Sequence, residues 1–162
     1  MTLPSDIVLR PAVPGDEALV AHYVRELADY EKLLDHAVAT DEHFRRALFD
    51  TPMRLSALIV ERAGTPIGFA VWYFNFSTFS GLPGLYLEDI FVEPAARNLG
   101  IGREIFRYLA RVAVAEGCTK MNWAVLNWNA PSIAFYRGLG AVGMDDWTTQ
   151  HLDGAALEKL AR

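Results

Sequence analysis

The chain has 162 residues, 52% of them hydrophobic and 22% charged, a composition that excludes an extended disordered polypeptide and suits a single domain spanning residues 1–162. Its formal net charge of −5, with no basic cluster, argues against a nucleic-acid-binding surface and is compatible with a cationic small substrate. Cys118 is the sole cysteine, so no intramolecular disulfide forms; with no signal-like amino terminus and no apolar run of about 18 residues, the expectation is a cytoplasmic protein that makes no membrane contact.

Ile7 to Arg10 reads as a short strand, and Asp16 can cap a first helix in which Leu19, Tyr23, Val24, Leu27 and Tyr30 recur at helical spacing. Thr40 can cap a second helix carrying Phe44, Ala47 and Leu48. Leu55–Glu61 and Ile67–Phe76 are rich in β-formers and flank Ala63, Gly64, Thr65 and Pro66, a turn composition that predicts an antiparallel hairpin. Ser77 to Gly84 reads as a loop, followed by a strand from Leu85 to Val92.

Beyond a glycine-bearing turn, Ile101, Ile105, Leu109, Val112 and Ala113 form one face of a helix that Gly117 can end. Met121 to Leu126 is a further strand. Asn129 can cap a short helix with Pro131 in its tolerated first turn and Gly138 and Gly140 at its end. A last hairpin and a small helix are expected between Ala141 and Leu160. The order predicts a mixed α/β domain with helices on the faces of its sheet.

Arg97, Asn98, Leu99, Gly100, Ile101 and Gly102 fit an R-x-x-G-x-G pattern that leads a strand into a helix. The glycines let backbone approach a ligand, and the first helical N–H groups lack intrahelical acceptors, so the turn suits a phosphate. The alternative is a connection whose glycines serve packing alone. Neither a dinucleotide fingerprint nor a P-loop is present. Glu88 and Asp89 are adjacent acids inside an apolar strand, an arrangement that is costly unless they are used or ion-paired. In regular alternation Glu88 shares a face with Tyr86 and Ile90, and Asp89 with Leu87 and Phe91. The four histidines are scattered without ligand spacing, so no metal site is expected.

The R-x-x-G-x-G turn, the opening IVLRPAVPGD, the strand LYLEDIFV and the segment NWNAPSIAFY together resemble the GNAT family of N-acetyltransferases over nearly the whole chain, and within it the spermidine/spermine and thialysine branch. The resemblance implies the GNAT fold, with a mostly antiparallel mixed sheet splayed between strands 4 and 5, and acetyl-CoA as cosubstrate; the family commonly has a bulge in the strand Leu85–Val92, which would alter the alternation of Glu88 and Asp89. Ile90, Phe91 and Val92 would run beside pantetheine. Arg97, Asn98, Leu99, Gly100, Ile101 and Gly102 would hold the pyrophosphate, and Asn129, Ser132 and Tyr136 would complete the cofactor set. Asn98 stands where many members have Gly, and Asn tolerates unusual backbone angles better than most residues.

By the same resemblance Tyr136 corresponds to a tyrosine that protonates the departing thiolate, and a phenol suits that role at neutral pH. A tyrosine packing its ring is the alternative. Glu88 is the implied base, through water, with Asp89, Tyr30, Glu31 and Trp147 on the substrate side; Trp147 could offer a cation–π face. Thr78 and Ser80 replace an Asp and a Trp of the mammalian polyamine enzymes, which favours a shorter amine or a lysine-like side chain. The expected reaction is acetyl transfer from acetyl-CoA to a primary amine of a small diamine, polyamine or thialysine-like substrate, in a ternary complex. The alternatives are a peptide or protein N-acetyltransferase and a non-catalytic CoA-binding domain. The branch implies a homodimer, which the aromatic run Trp72, Tyr73, Phe74 and Phe76 could support.

Overall fold

The computed structural model describes residues 3–162, which form two compact units, residues 3–126 and 127–162. In the first unit a five-stranded sheet runs in the order β1-β2-β3-β4-β5, with β1 Ile7–Pro11, β2 Ser56–Arg62, β3 Thr65–Ser77, β4 Leu82–Val92 and β5 Met121–Asn122. The first three pairings are antiparallel and the last is parallel.

Helices α1 (Glu17–Tyr30) and α2 (Asp41–Phe49) cover one face. Val20, Tyr23 and Leu48 pack there on Ala57, Ile59, Phe69, Val71 and Phe91. The opposite face carries Trp72, Leu85 and Leu87 and is covered by α3 (Ile101–Ala115), whose Tyr108 meets the Trp72 ring edge-on and whose Ile101, Ile105 and Leu109 are fully buried. Burying each such aliphatic side chain contributes about 1.5 to 3 kcal/mol.

Local chemistry explains the boundaries. Thr40 caps α2 in a reciprocal box with His43. Asp16 occupies the cap position of α1, but its carboxylate instead accepts from Arg10 (2.6 and 3.0 Å) and from the Val13 N–H (2.8 Å), tying β1 to the helix entrance. The β2–β3 turn is tighter than the four residues expected: Ala63 and Gly64 alone turn the chain, at φ +48° and +80°, and Thr65 already belongs to β3. The expected loop from Ser77 to Gly84 is likewise shorter, because Leu82, Pro83 and Gly84 pair with Ser77, Phe76 and Asn75.

The strand expected over Met121–Leu126 reduces to two residues, paired to Leu85 and Tyr86. Its end coincides with a register shift in β4: Leu87 lies opposite Trp72 but Asp89 lies opposite Val71, so Glu88 is the extra residue of a bulge. A bulge bends and twists its strand, which carries the rest of β4 away from β5. From Leu87 to Val92 the outer edge of β4 has no strand partner among the described residues.

In the second unit Asn129 caps α4 (Ala130–Arg137), accepting from the Ser132 N–H at 3.3 Å, and Gly140 leaves the helix end at φ +94°. The small helix α5 (Gly154–Leu160) is present, but the hairpin expected before it is not: residues 141–153 contain no strand. Gly143, Asp145 and Asp146 are poor strand formers and interrupt any alternation there. Among the described residues no helix is long and apolar enough to cross a membrane.

Candidate active site

The turn after β4 has the backbone that an anion cradle needs. Asn98 takes φ +65° and Gly100, the cap of α3, φ +84°. Left-handed residues in a turn are what lets successive backbone N–H groups face one side. The first i→i−4 bond of α3 is made by Glu104 to Gly100 (3.1 Å), so the N–H groups of Ile101, Gly102 and Arg103 precede the helical ladder. These donors and the unpaired edge of β4 fit an extended ligand with a phosphate at one end, as acyl-CoA is.

The Arg97 side chain folds back from this turn. Its Nε donates to the Val92 carbonyl at 3.0 Å, and its guanidinium carbon lies 5.2 Å from the Tyr30 ring centre and 5.7 Å from that of Phe91. Just upstream, the buried Tyr23 hydroxyl donates to Glu93 (3.3 Å), fastening the end of β4 to α1.

The bulge overturns the expected alternation of the two acids. Residues directly opposite in a ladder share a face, so Asp89 lies with Val71 and Phe91 on the α1 side, together with Tyr86 opposite Tyr73. Leu87 and Ile90 fall on the α3 side, with Trp72 and Ala70. Asp89 is thus separated from Leu87 and joined to Tyr86, the reverse of a regular strand.

Glu88 is exposed on the bulge, while Asp89 and Glu31 are half-buried. Burial pushes the Asp89 carboxyl up to about 6, with the neighbouring charges of Glu88 and Glu31 adding to the shift. Burial also raises Glu31. The Tyr73 and Tyr86 rings, 5.2 Å apart, have phenols raised by burial first and then by the Glu88 charge. The charges of Glu88 and Glu31 thus both act on Asp89, that of Glu88 also acts on the tyrosine pair, and none of the three acids is in an ion pair among the described residues.

The first unit thus brings together Tyr30, Glu31, Glu88, Asp89, Arg97 and the turn through Gly102, with Ile90, Phe91 and Val92 on the strand between. In the second unit Asn129 and Ser132 are joined by the helix cap, and Tyr136 sits half-buried on α4 with Phe135 at 5.5 Å. Trp147 is 74% exposed on the irregular segment rather than part of a hairpin. Tyr73, Tyr86, Tyr23 and Glu93 were not legible as site residues. A β-pattern reading that allowed one extra residue at Glu88 would have placed Tyr86 beside Asp89.

The model of the acetyltransferase (GNAT) family matches residues 19–141. The chain is 36% identical to a thialysine N-epsilon-acetyltransferase of Bos taurus over 166 residues, covering 96% of this chain and 97% of that protein. Its Sus scrofa counterpart is 33% identical over 168 residues, with 97% and 98% covered. A human spermidine/spermine N(1)-acetyltransferase-like protein 1 is 32% identical over 151 residues, 89% of this chain but 22% of that protein. Among solved structures, an integron cassette protein from the mobile metagenome of V. cholerae shares the fold at TM-score 0.82 and 21% identity, covering 98% of this chain and 99% of that one.

Proposed function

Because this chain belongs to the acetyltransferase (GNAT) family, we propose that its acetyl-CoA-dependent N-acetyltransferase activity is directed at the primary amine of a small cationic substrate, lysine-like or a short diamine. The observation that carries the choice of substrate is the half-buried Asp89 carboxylate under the charges of Glu88 and Glu31, with none of the three acids in an ion pair among the described residues. An ammonium group entering there relieves like-charge repulsion and satisfies carboxylates that are costly to bury. The thialysine acetyltransferase relatives support a lysine-like acceptor.

The proposed reaction is direct transfer in a ternary complex. The acceptor ammonium, with a pKa of about 10, must lose a proton before it attacks. In this reading Glu88, solvent-exposed on the bulge, accepts that proton through water, and the half-buried Asp89 holds the substrate cation. The amine nitrogen attacks the acetyl carbonyl to form the new C–N bond, the C–S bond breaks, Tyr136 supplies a proton to the departing sulfur, and the second proton shed by the nitrogen returns through water to the Tyr136 phenolate. Backbone N–H groups of the Asn98–Gly102 turn hold the pyrophosphate. A backbone N–H near Val92 stabilises the oxyanion.

Residues 1–162 work in this reading as one catalytic domain, since the family match crosses the boundary between the two units. The homodimer belongs to it as well. Of the aromatic run, Trp72 is buried and Tyr73 half-buried, but Phe74 and Phe76 are exposed beside Phe79, which is 99% exposed at the hairpin tip, a surface suited to a second copy. A reducing, cytoplasmic setting agrees with the lone Cys118.

A thiol-release assay with acetyl-CoA across lysine analogues, diamines, polyamines and peptides tests the function. Turnover confined to the small amines is the expected result. Turnover of peptides alone, or acetyl-CoA binding with no turnover of any amine, rejects it.

A further inference from the structure

We propose that Arg97 is a positioning residue for the acceptor amine, its guanidinium strapping the end of α1 at Tyr30 to the end of β4 at Phe91 and Val92. The inference rests on the reading that the amine is held at Glu31 and Asp89, and it gives the first residue of the phosphate turn a task on the other substrate.

Three contacts define the strap: the Nε donation to the Val92 carbonyl and the approach of the same guanidinium to two rings, Tyr30 and Phe91. Each ring adjoins an acid. Tyr30 is the last residue of α1 and Glu31 follows it as the helix cap; Phe91 is two residues beyond Asp89 on the same face of β4. The charge of Glu31 in turn acts on Asp89. Fixing the two rings therefore fixes the separation of the two carboxylates that receive the cation.

The end of α1 is closed by its own backbone, with Lys32 at φ +61° donating to the Asp29 carbonyl and Leu33 to that of Ala28. Its last turn carries no basic residue, so no side chain of the helix itself offsets the negative end of the dipole. Arg97 brings a cation to that final residue from another element. It is exposed and has no carboxylate partner among the described residues, so its charge is engaged by a carbonyl and two ring faces. A planar guanidinium can lie along a ring while its Nε holds a carbonyl; an ammonium cannot do both.

The test uses the full chain with wild type, Arg97→Ala, Arg97→Lys, Tyr30→Leu and the Arg97→Ala/Tyr30→Leu double variant. Steady-state kinetics are measured on the best amine of the panel, acetyl-CoA Kd by titration, and hydrogen exchange over residues 27–33. Arg97→Ala is expected to raise the amine KM about tenfold while kcat changes less than about threefold, and to add less than about twofold in the Tyr30→Leu background. Arg97→Lys, which keeps charge and stem, is expected to share most of that rise.

An unchanged amine KM, whatever happens to acetyl-CoA Kd, overturns the strap, as does an equal Arg97→Ala effect in both backgrounds or a wild-type amine KM in Arg97→Lys. If wild type acetylates no amine, the functional reading has failed and exchange alone decides the strap. Faster exchange of residues 27–33 in the Arg97 variants supports it, and unchanged exchange rejects it.

Discussion

Asp89 stands directly opposite Val71 in the β3–β4 ladder, although Leu87, two residues earlier, stands opposite Trp72 on the other face of the sheet. The one-residue bulge at Glu88 thereby turns Asp89 toward α1 and Glu31, into a half-buried setting where its carboxyl rises from its ordinary 3.8 to about 6.

A raised carboxylate has a defined sign in the stability curve. The folded chain binds the Asp89 proton more tightly than the unfolded one, so this residue costs stability above about pH 6, and that cost disappears as pH falls toward 3.8. Asp89→Asn should therefore raise stability at pH 7.5 by something on the order of 1 to 3 kcal/mol and leave it nearly unchanged at pH 3.5. Thermal melts at the two pH values check this. In the same variant the amine KM should rise and lose its improvement between pH 5 and 7, the range in which Asp89 ionises.

Glu88→Gln addresses the proton acceptor. The acidic limb of the kcat/KM profile should flatten or shift relative to wild type, and kcat/KM at neutral pH should fall about 10²-fold. An identical acidic limb in both proteins removes Glu88 from proton transfer.

For Tyr136→Phe, acetyl-CoA binding should persist while kcat falls at least about tenfold, since only the phenolic proton is lost. Isothermal titration beside steady-state kinetics separates the two quantities, and unchanged turnover excludes the residue from catalysis.

Two glycines should fail for different reasons. A Cβ on Gly68 would sit 2.6 Å from the Phe91 carbonyl oxygen, so Gly68→Ala must push β3 from β4, at a cost of about 1 to 3 kcal/mol in denaturant titration. A Cβ on Gly100 would meet nothing within 4 Å, but its φ of +84° opposes any side chain. Gly100→Ala should cost about 1 to 2 kcal/mol and weaken acetyl-CoA binding severalfold, whereas Asn98→Gly should leave binding intact.

Much of this was readable along the chain because it depends on near neighbours. The Thr40 cap, the Asn129 cap, the helical stripe of α3 and the left-handed turn at Asn98 and Gly100 follow from residue type and spacing within a few positions. The R-x-x-G-x-G turn was readable for the same reason: its conformation is one that glycine and asparagine make accessible.

What required the tertiary structure was every feature set by pairing between distant segments. Period-2 alternation sends Glu88 and Asp89 to opposite faces, and nothing local to LYLED marks an extra residue; the bulge exists because β3 pairs with β4 in two registers. That shift ended β5 after two residues, put Tyr86 beside Asp89 and opened the outer edge of β4. Likewise Arg97 could be recognised as the head of a motif, but its place over Tyr30 depends on α1 and β4 packing side by side, 67 positions apart in the chain. Local chemistry set the caps, turns and helical faces of this protein, and long-range packing decided which side chains on distant segments face one another.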